Sequence, residues 1–276
     1  MTTVGRGLGA AEAPAEAPAR VVVAVASGKG GVGKSTVALN VAVSLAERGL
    51  RVGLLDADLY GPDIPRMVGL TRRRRVQQWT VARSPAFGPV VLDPVERFGV
   101  KLASAGFLFG EDQALALASG MIEVLFTQLV QSTTWGELDY LLVDLPPGTA
   151  DLQQAAMRTL RPSGVVLVVT PQDVAHLDAK KVLTMLGAAG VRVLGAVENM
   201  RGLRCPCCDT TIEVFPPVRE EESIWALGVQ RLGSVPLDPK LSRSSAAGRP
   251  VVVDDHDCAQ ARALRAIAAK LHDTLG

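Results

Sequence analysis

The stretch Gly28-Lys29-Gly30-Gly31-Val32-Gly33-Lys34-Ser35-Thr36 carries the densest chemistry in the sequence. Gly28, Gly33, Lys34 and Ser35 fit the pattern G-x-x-x-x-G-K-[ST], and the pattern stands between an apolar strand and the start of a helix, the context it requires. Its glycines let the backbone curl so that successive N–H groups point at phosphate oxygens. The helix N-terminus adds the positive end of its dipole. Lys34 is placed to reach the β- and γ-phosphates, Ser35 to offer its hydroxyl to Mg²⁺, and Thr36 to make a further phosphate contact. The chemistry would be binding and hydrolysis of a nucleoside triphosphate. Lys29, inside the loop, has two readings: a cation acting on a partner's nucleotide across a dimer interface, in the manner of an arginine finger, or a solvent-exposed loop charge.

Carboxylates at strand ends are the second ingredient. The run Val52–Leu55 leads into Asp56-Ala57-Asp58, and Tyr140–Val143 leads into Asp144-Leu145-Pro146-Pro147-Gly148-Thr149. Ligands of doubly wound sheets bind beyond the carboxyl ends of the strands, so these acids point toward the phosphate loop. Asp144 is the natural Mg²⁺ ligand, directly or through water, and Asp56 could fill the same need. Asp58, where the chain leaves the sheet, is the candidate for orienting the attacking water; the plain alternative is a turn or helix-cap residue. Pro146, Pro147 and Gly148 read as a stiff turn able to sense the γ-phosphate.

The third ingredient is sulfur. Arg204-Cys205-Pro206-Cys207-Cys208-Asp209 places Cys205 and Cys208 in a C-x-x-C spacing suited to zinc or an iron–sulfur cluster. A tetrahedral site needs two further ligands, and the remaining cysteine, Cys258, lies far along the chain. A symmetric dimer with two thiolates from each copy is the simplest completion. A redox dithiol, and zinc with Cys207 or His256 joining, compete with it; a thioredoxin-like pair, however, opens a helix, whereas this one follows a strand and loop. Cys258 reads as a thiol without a role.

The elements that must position these groups follow from the pattern of apolar runs. Val21–Ala26 is apolar on both faces, as in a central parallel strand. Further strands are expected at Val52–Asp56, Val90–Asp93, Val100–Ser104, Tyr140–Asp144, Val165–Thr170, Arg192–Val197 and Gln230–Val235. Helices are expected at Lys34–Arg48, Gly120–Thr134, Ala150–Leu160, Ala175–Ala189, Glu220–Leu227 and Asp257–His272, with Gly49 stopping the first of them. Alternating strands and helices predict an α/β fold: a doubly wound, mainly parallel sheet with helices on both faces. The chain has 276 residues, 48% apolar, and a formal net charge of +1. That length suits one ATPase domain over 21–276 preceded by a disordered Ala/Pro/Glu tail over 1–20. The balanced charge gives no reason to expect nucleic-acid binding, and the run Arg72-Arg73-Arg74-Arg75 reads as a solvated loop. No apolar run of transmembrane length and no signal-peptide pattern stand in the sequence, so no membrane partner and a cytoplasmic location are expected.

Taken together these blocks resemble a family. Gly28–Thr36 with its extra Lys29 is similar to the deviant phosphate loop of the MinD/ParA class of P-loop ATPases. Leu55-Asp56-Ala57-Asp58-Leu59-Tyr60-Gly61-Pro62-Asp63-Ile64-Pro65, Trp135–Tyr140 running into Asp144–Thr149, Thr170-Pro171-Gln172-Asp173 and Val197-Glu198-Asn199-Met200 narrow the resemblance to the Mrp/ApbC group of iron–sulfur cluster carriers, over about Val21 to Pro250. The resemblance implies a homodimeric ATPase that binds ATP and Mg²⁺ and holds a [4Fe–4S] cluster between Cys205 and Cys208 of two copies. It implies that the cluster comes from an assembly scaffold and passes to apo iron–sulfur proteins. It assigns Lys29 to the partner's nucleotide and Asp58 to positioning the water. It puts Asn199 at the adenine, with Pro236-Leu237-Asp238-Pro239 nearby. The chain departs from the family's pattern in its short N-terminal tail, in Val214-Phe215-Pro216-Pro217-Val218 after the cysteines, in Ala118-Ser119-Gly120-Met121 and in the extra Cys207.

Overall fold

Fully apolar strands can lie only in the middle of a sheet covered on both faces, and β1 (Val21–Ala26), every residue of it buried, does so. The computed structural model describes residues 17–70, 81–82, 91–107, 119–148, 151–205, 207–208 and 210–276. After β1 come α1 (Lys34–Ala46), β2 (Val52–Asp56), α2 (Ile64–Met67), β3 (Val81–Ala82), β4 (Val91–Leu92), β5 (Val95–Arg97), β6 (Val100–Ser104), α3 (Ser119–Ser132), β7 (Tyr140–Asp144) and α4 (Asp151–Leu160). The second half holds β8 (Gly164–Val169), α5 (Asp173–Ala188), β9 (Val193–Arg204), β10 (Thr211–Ile212), β11 (Arg231–Leu237), α6 (Pro239–Ala246), α7 (Val251–Asp254) and α8 (Ala259–Leu275).

A nine-stranded sheet runs in the order β10-β9-β8-β1-β7-β2-β6-β5, with β11 also paired to β9. Every pairing in it is parallel except those of β5 and β10. Alternation along β1 divides the core. Val21, Val23 and Val25 join α1 and α8 on one face, whereas Val22, Ala24 and Ala26 join α3, α4 and α5 on the other. The expected doubly wound α/β sheet is what forms.

Register decides where the chemistry meets. Asp144 pairs with Val25 on one side and Asp56 on the other, and Asp56 pairs with Ser104. Four strands therefore end level, at the edge where the loop after β1 begins.

Three expectations need correction. The helix expected over Glu220–Leu227 is instead two 3₁₀ turns, Glu220–Glu222 and Trp225–Leu227. Ser223 Oγ accepts from the amides of Trp225 and Ala226, and the Ile224 amide donates to His176 Nδ1, so these donors are taken by side chains rather than by a helical ladder. The strand expected over Arg192–Val197 continues through Arg204 as β9. Near Val90–Asp93 only Val91–Leu92 is strand, paired with Val81–Ala82, and position 90 lies outside the described residues. The expectations for residues 1–16, for Arg72–Arg75, for Ala118 and for Thr149 also lie outside them.

Candidate functional site

The loop joining β1 to α1 is held in its curled form from several sides. Gly31 and Gly33 take φ of 79° and 82°, the left-handed region that glycine enters without strain. A side chain at Gly28 would collide with the backbone of Asp178 in α5, so the loop lies directly on that helix. Ser27 Oγ donates to the Lys29 carbonyl at 3.0 Å. Asn199, buried in β9, donates through Nδ2 to the Val32 carbonyl at 2.8 Å. The amides that would face phosphate are thus fixed in place before any ligand arrives.

Lys34 opens α1 and is buried, its Nζ 2.6 Å from Asp144 Oδ1 and 3.4 Å from Ser35 Oγ. Burial pushes the fully buried Asp144 carboxyl up, while the Lys34 ammonium and the Ser35 hydroxyl pull it back toward the charged form. The second oxygen, Oδ2, is buried with no hydrogen-bond partner among the described residues. An orphaned carboxylate oxygen close to the Ser35 hydroxyl fits a hard, oxygen-seeking divalent cation, so Ser35 and Asp144 suit Mg²⁺.

Asp56 has a different environment. Its Oδ2 accepts from Ser104 Oγ at 2.9 Å and from the Ile64 amide at 3.4 Å, and its Oδ1 accepts from the Asp58 amide at 3.2 Å. Burial, and the charge of Asp144 beside it, hold its carboxyl well above the ordinary carboxylate range. These bonds tie down the loop that carries Asp58. Asp58 is half-buried, accepts from the Gly61 amide at 3.2 Å, and is raised chiefly by burial. Ser27, Lys34, Ser35, Thr36, Asp58 and Pro147 line a common cavity of about 240 Å³, together with Lys29, Gly30, Gly31 and Gly33. It matches a polyphosphate tail more than a whole nucleotide. The predicted loop residues and Asp58 are therefore brought together.

Lys29 is exposed and borders a second cleft of about 470 Å³, shared with Asp173, Val174, Pro216 and Arg219. Pro236 lies in β11, which pairs with β9 beside Asn199, whereas Asp238 caps α6, accepting from the Lys240 amide at 2.7 Å.

The sulfur residues sit on a projection. β9 outruns the sheet and turns back as β10, with Arg204 paired to Thr211 and the Cys205 amide donating to the Thr210 carbonyl at 2.9 Å. Cys205 is half-buried; Cys207 and Cys208 are exposed in the turn. Cys208 Sγ lies 3.3 Å from Thr210 Oγ1. Hydrogen bonding from the Thr210 hydroxyl and amide, then from Cys205, lowers the Cys208 thiol below its ordinary value. Among the described residues no three or more metal-ligating side chains are grouped to hold a metal ion, so Cys205 and Cys208 find no further ligand there. Cys258, read from sequence as without a role, caps α8: its Sγ accepts from the Ala261 amide at 3.4 Å.

Sequence reasoning missed Ser104, the Asn199–Val32 bond, and Gln153, whose Nε2 donates to the Pro146 carbonyl at 2.6 Å. Ser104 had a signal: it is a polar residue ending an apolar strand, in register with Asp56. The other two are contacts that only the fold creates.

A family model described as ParA, NUBPL iron-transfer P-loop NTPase, matches residues 19–272. The chain belongs to this family. It is 41% identical over 252 residues to an "Iron-sulfur cluster carrier protein" of Aquifex aeolicus, covering 91% of this chain and 66% of that protein. To the human "Cytosolic Fe-S cluster assembly factor NUBP2" it is 41% identical over 268 residues, 96% of each chain. Among solved structures, a nucleotide-binding protein of Archaeoglobus fulgidus in complex with ADP superposes with a TM-score of 0.71 at 36% identity, over 88% of this chain and 91% of that one. The chain thus spans just under two-thirds of the bacterial relative and nearly all of the human one. The P-loop NTPase fold and the membership expected from the sequence blocks are both found.

Proposed function

We propose that this chain is an ATP-hydrolysing iron–sulfur cluster carrier of the cytosol, working as a homodimer in which Cys205 and Cys208 of both copies hold one [4Fe–4S] cluster. The observation that carries the reading is the pairing of a preformed phosphate loop with two thiols on a projecting hairpin of the same sheet edge. Two thiolates are half of a cluster's ligand set, and a twofold axis supplies the rest. Exposed Val174, Leu177, Ile212 and Val214 lie on α5 and around the hairpin, as a second copy would require.

Lys34 and the loop amides at Gly30, Gly31, Val32 and Gly33 bind and neutralise the triphosphate, and Thr36 adds a contact. Mg²⁺, when bound, would neutralise negative charge on the phosphate oxygens. Ser35 and Asp144 would hold it; Asp56, its oxygens engaged by Ser104, Ile64 and Asp58, sets the loop instead. Asp58 orients the attacking water, which needs placement more than a strong base. Lys29, exposed at the cleft beside α5, reaches the nucleotide of the second copy. Asn199, Pro236 and Asp238 lie toward the adenine. Delivery to apo iron–sulfur proteins accords with relatives named as a cluster carrier and a cluster assembly factor, and an assembly scaffold would supply the cluster.

The test is anaerobic reconstitution with iron and sulfide. Wild type should turn brown and carry about four irons per dimer, and Cys205→Ser and Cys208→Ser should each stay colourless while still binding nucleotide. Stoichiometric zinc with no visible absorption in the purified wild type would instead make the hairpin a structural metal clip.

A further inference from the structure

The nucleotide loop and the thiols share one physical element, β9. Up to Glu198 this strand is locked between two parallel neighbours, β8 and β11. Asn199 then makes the bond to the Val32 carbonyl, and a Cβ on Gly33 would collide with the same amide nitrogen. The loop therefore rests on the Asn199 side chain. Immediately beyond, regularity fails. β11 advances from Val235 to Leu237 while β9 advances from Asn199 to Leu203, so β9 carries a bulge there.

Met200 in that bulge has φ of 60°, and Gly202 has φ of 64°. A left-handed conformation is strained for methionine and needs the surroundings to maintain it. Its consequence is visible at the loop. Consecutive side chains of a regular strand face opposite sides, yet a Cβ on Gly33 would touch both Asn199 Nδ2 and, at 3.8 Å, Met200 Cε. The turn at Met200 thus brings two successive side chains to the same side, beneath Gly33. Glu198 steadies the near side of the bulge, accepting from Arg201 Nη1 at 2.7 Å and Ser234 Oγ at 3.2 Å. On its far side begins the hairpin with Cys205.

We infer that the Asn199–Gly202 bulge links the state of the phosphate loop to the geometry of the cysteine hairpin, with Asn199 as the positioning residue and Met200 as the hinge. The loop is preformed, so a bound triphosphate moves it little; the small shift it imposes on the Val32 carbonyl is carried by the Asn199 side chain bonded to it. The locked part of β9 cannot follow, so the displacement is taken up at the strained Met200 and passed to Cys205 and Cys208. This rests on the reading of those thiols as the cluster ligands, and it gives nucleotide binding a route to tighten or loosen their grip.

The experiment uses reduced, metal-free full-length protein. Limiting iodoacetamide is added without nucleotide, with Mg-ADP, and with Mg²⁺ and a non-hydrolysable ATP analogue. Mass spectrometry reads alkylation of Cys205 and Cys208 relative to Cys258, and calorimetry records nucleotide affinity on the same samples. In wild type the nucleotide should change the relative rate at one or both thiols by about fivefold or more, and in Met200→Gly the change should fall below about twofold while the analogue still binds. An unchanged rate in nucleotide-saturated wild type, or a full response in Met200→Gly, overturns the proposal. Because no metal is present, a failed cluster reconstitution leaves this result standing, and a failed coupling leaves the iron count standing.

Discussion

The phosphate loop and the cysteine hairpin sit at the same edge of one sheet and are built in opposite ways. The loop is packed against α5 at Gly28, bonded to β9 at Val32, and backed by a buried ion pair between Lys34 and Asp144. The hairpin is held by a short ladder between Arg204–Leu203 and Thr211–Ile212, and its turn is exposed. The first is organised by one chain alone, and its geometry is set before ligand arrives. The second offers its thiols to water, and in the proposed cluster site its geometry would be completed by a second set. Burial teaches the difference: charge inside the loop region must be compensated within the fold, whereas thiols in water need nothing until a metal comes.

The sharpest break of this comparison is Lys34→Ala. Beyond removing the proposed phosphate contact, it strands Asp144, which is 0% exposed, loses the ammonium at Oδ1, and has no partner for Oδ2 among the described residues. Losing one member of a buried ion pair costs about 3–5 kcal/mol. Urea unfolding of the nucleotide-free variant should show a loss of that order, with ATPase activity abolished. Lys34→Ala combined with Asp144→Ala should recover much of the stability and none of the activity. A single variant as stable as wild type would mean that the loop is not internally compensated.

Between the two regions lies His176, on the α5 that supports the loop and bonded to the Ile224 amide of the segment that follows the hairpin, at 3.2 Å. It is fully buried against Trp225, with Nε2 unpaired among the described residues, and burial holds its pKa below the ordinary histidine value. The unfolded state therefore takes up a proton first as pH falls through the usual histidine range near 6.5, so the stability of the neutral form is complete above that pH and is lost below it. Glu198 opposes the shift, and Lys180 and Arg231 reinforce it. The melting temperature should drop between pH 7 and pH 5, by a smaller amount than in Lys34→Ala, and His176→Phe should flatten that slope. An equal slope in the variant would place the titrating group elsewhere.

What could be read from the sequence follows the same division. The phosphate loop was legible because its requirements are local: glycines at positive φ, a lysine and a hydroxyl at the start of a helix. The strands Val21–Ala26, Val52–Asp56, Val100–Ser104 and Tyr140–Asp144 were legible to the residue, because central strands covered on both faces are dominated by apolar residues, with Lys101 the interior exception. The far half of β9 was not, since Met200–Arg204 has neither alternation nor an apolar run, and its pairing with Thr211–Ile212 comes from the fold. Glu220–Leu227 was expected as a helix, yet Ser223 and His176 capture its amides. The bond from Asn199 to Val32 spans 167 positions, and no local pattern announces such a contact.

The smallest expected effect tests the other side of the comparison. Cys205→Ser and Cys208→Ser remove thiols whose side-chain contacts are each other and Thr210, Cys208 exposed in the turn and Cys205 half-buried beside it. Surface changes of this kind fall within about 0.5 kcal/mol of wild type. Both variants should therefore unfold at the wild-type urea midpoint when free of metal, and bind Mg-ADP with wild-type affinity. The contrast must then appear only with iron: a reconstituted wild type whose midpoint rises above that of its metal-free form, beside serine variants whose midpoints do not move. Binding to the native state alone raises stability by mass action, so the size of that rise reports how tightly the completed thiol set holds its metal. If the serine variants are already destabilised without metal, the hairpin is part of the folded core's own support, and the division between a self-sufficient nucleotide loop and a half-built thiol site fails at that point.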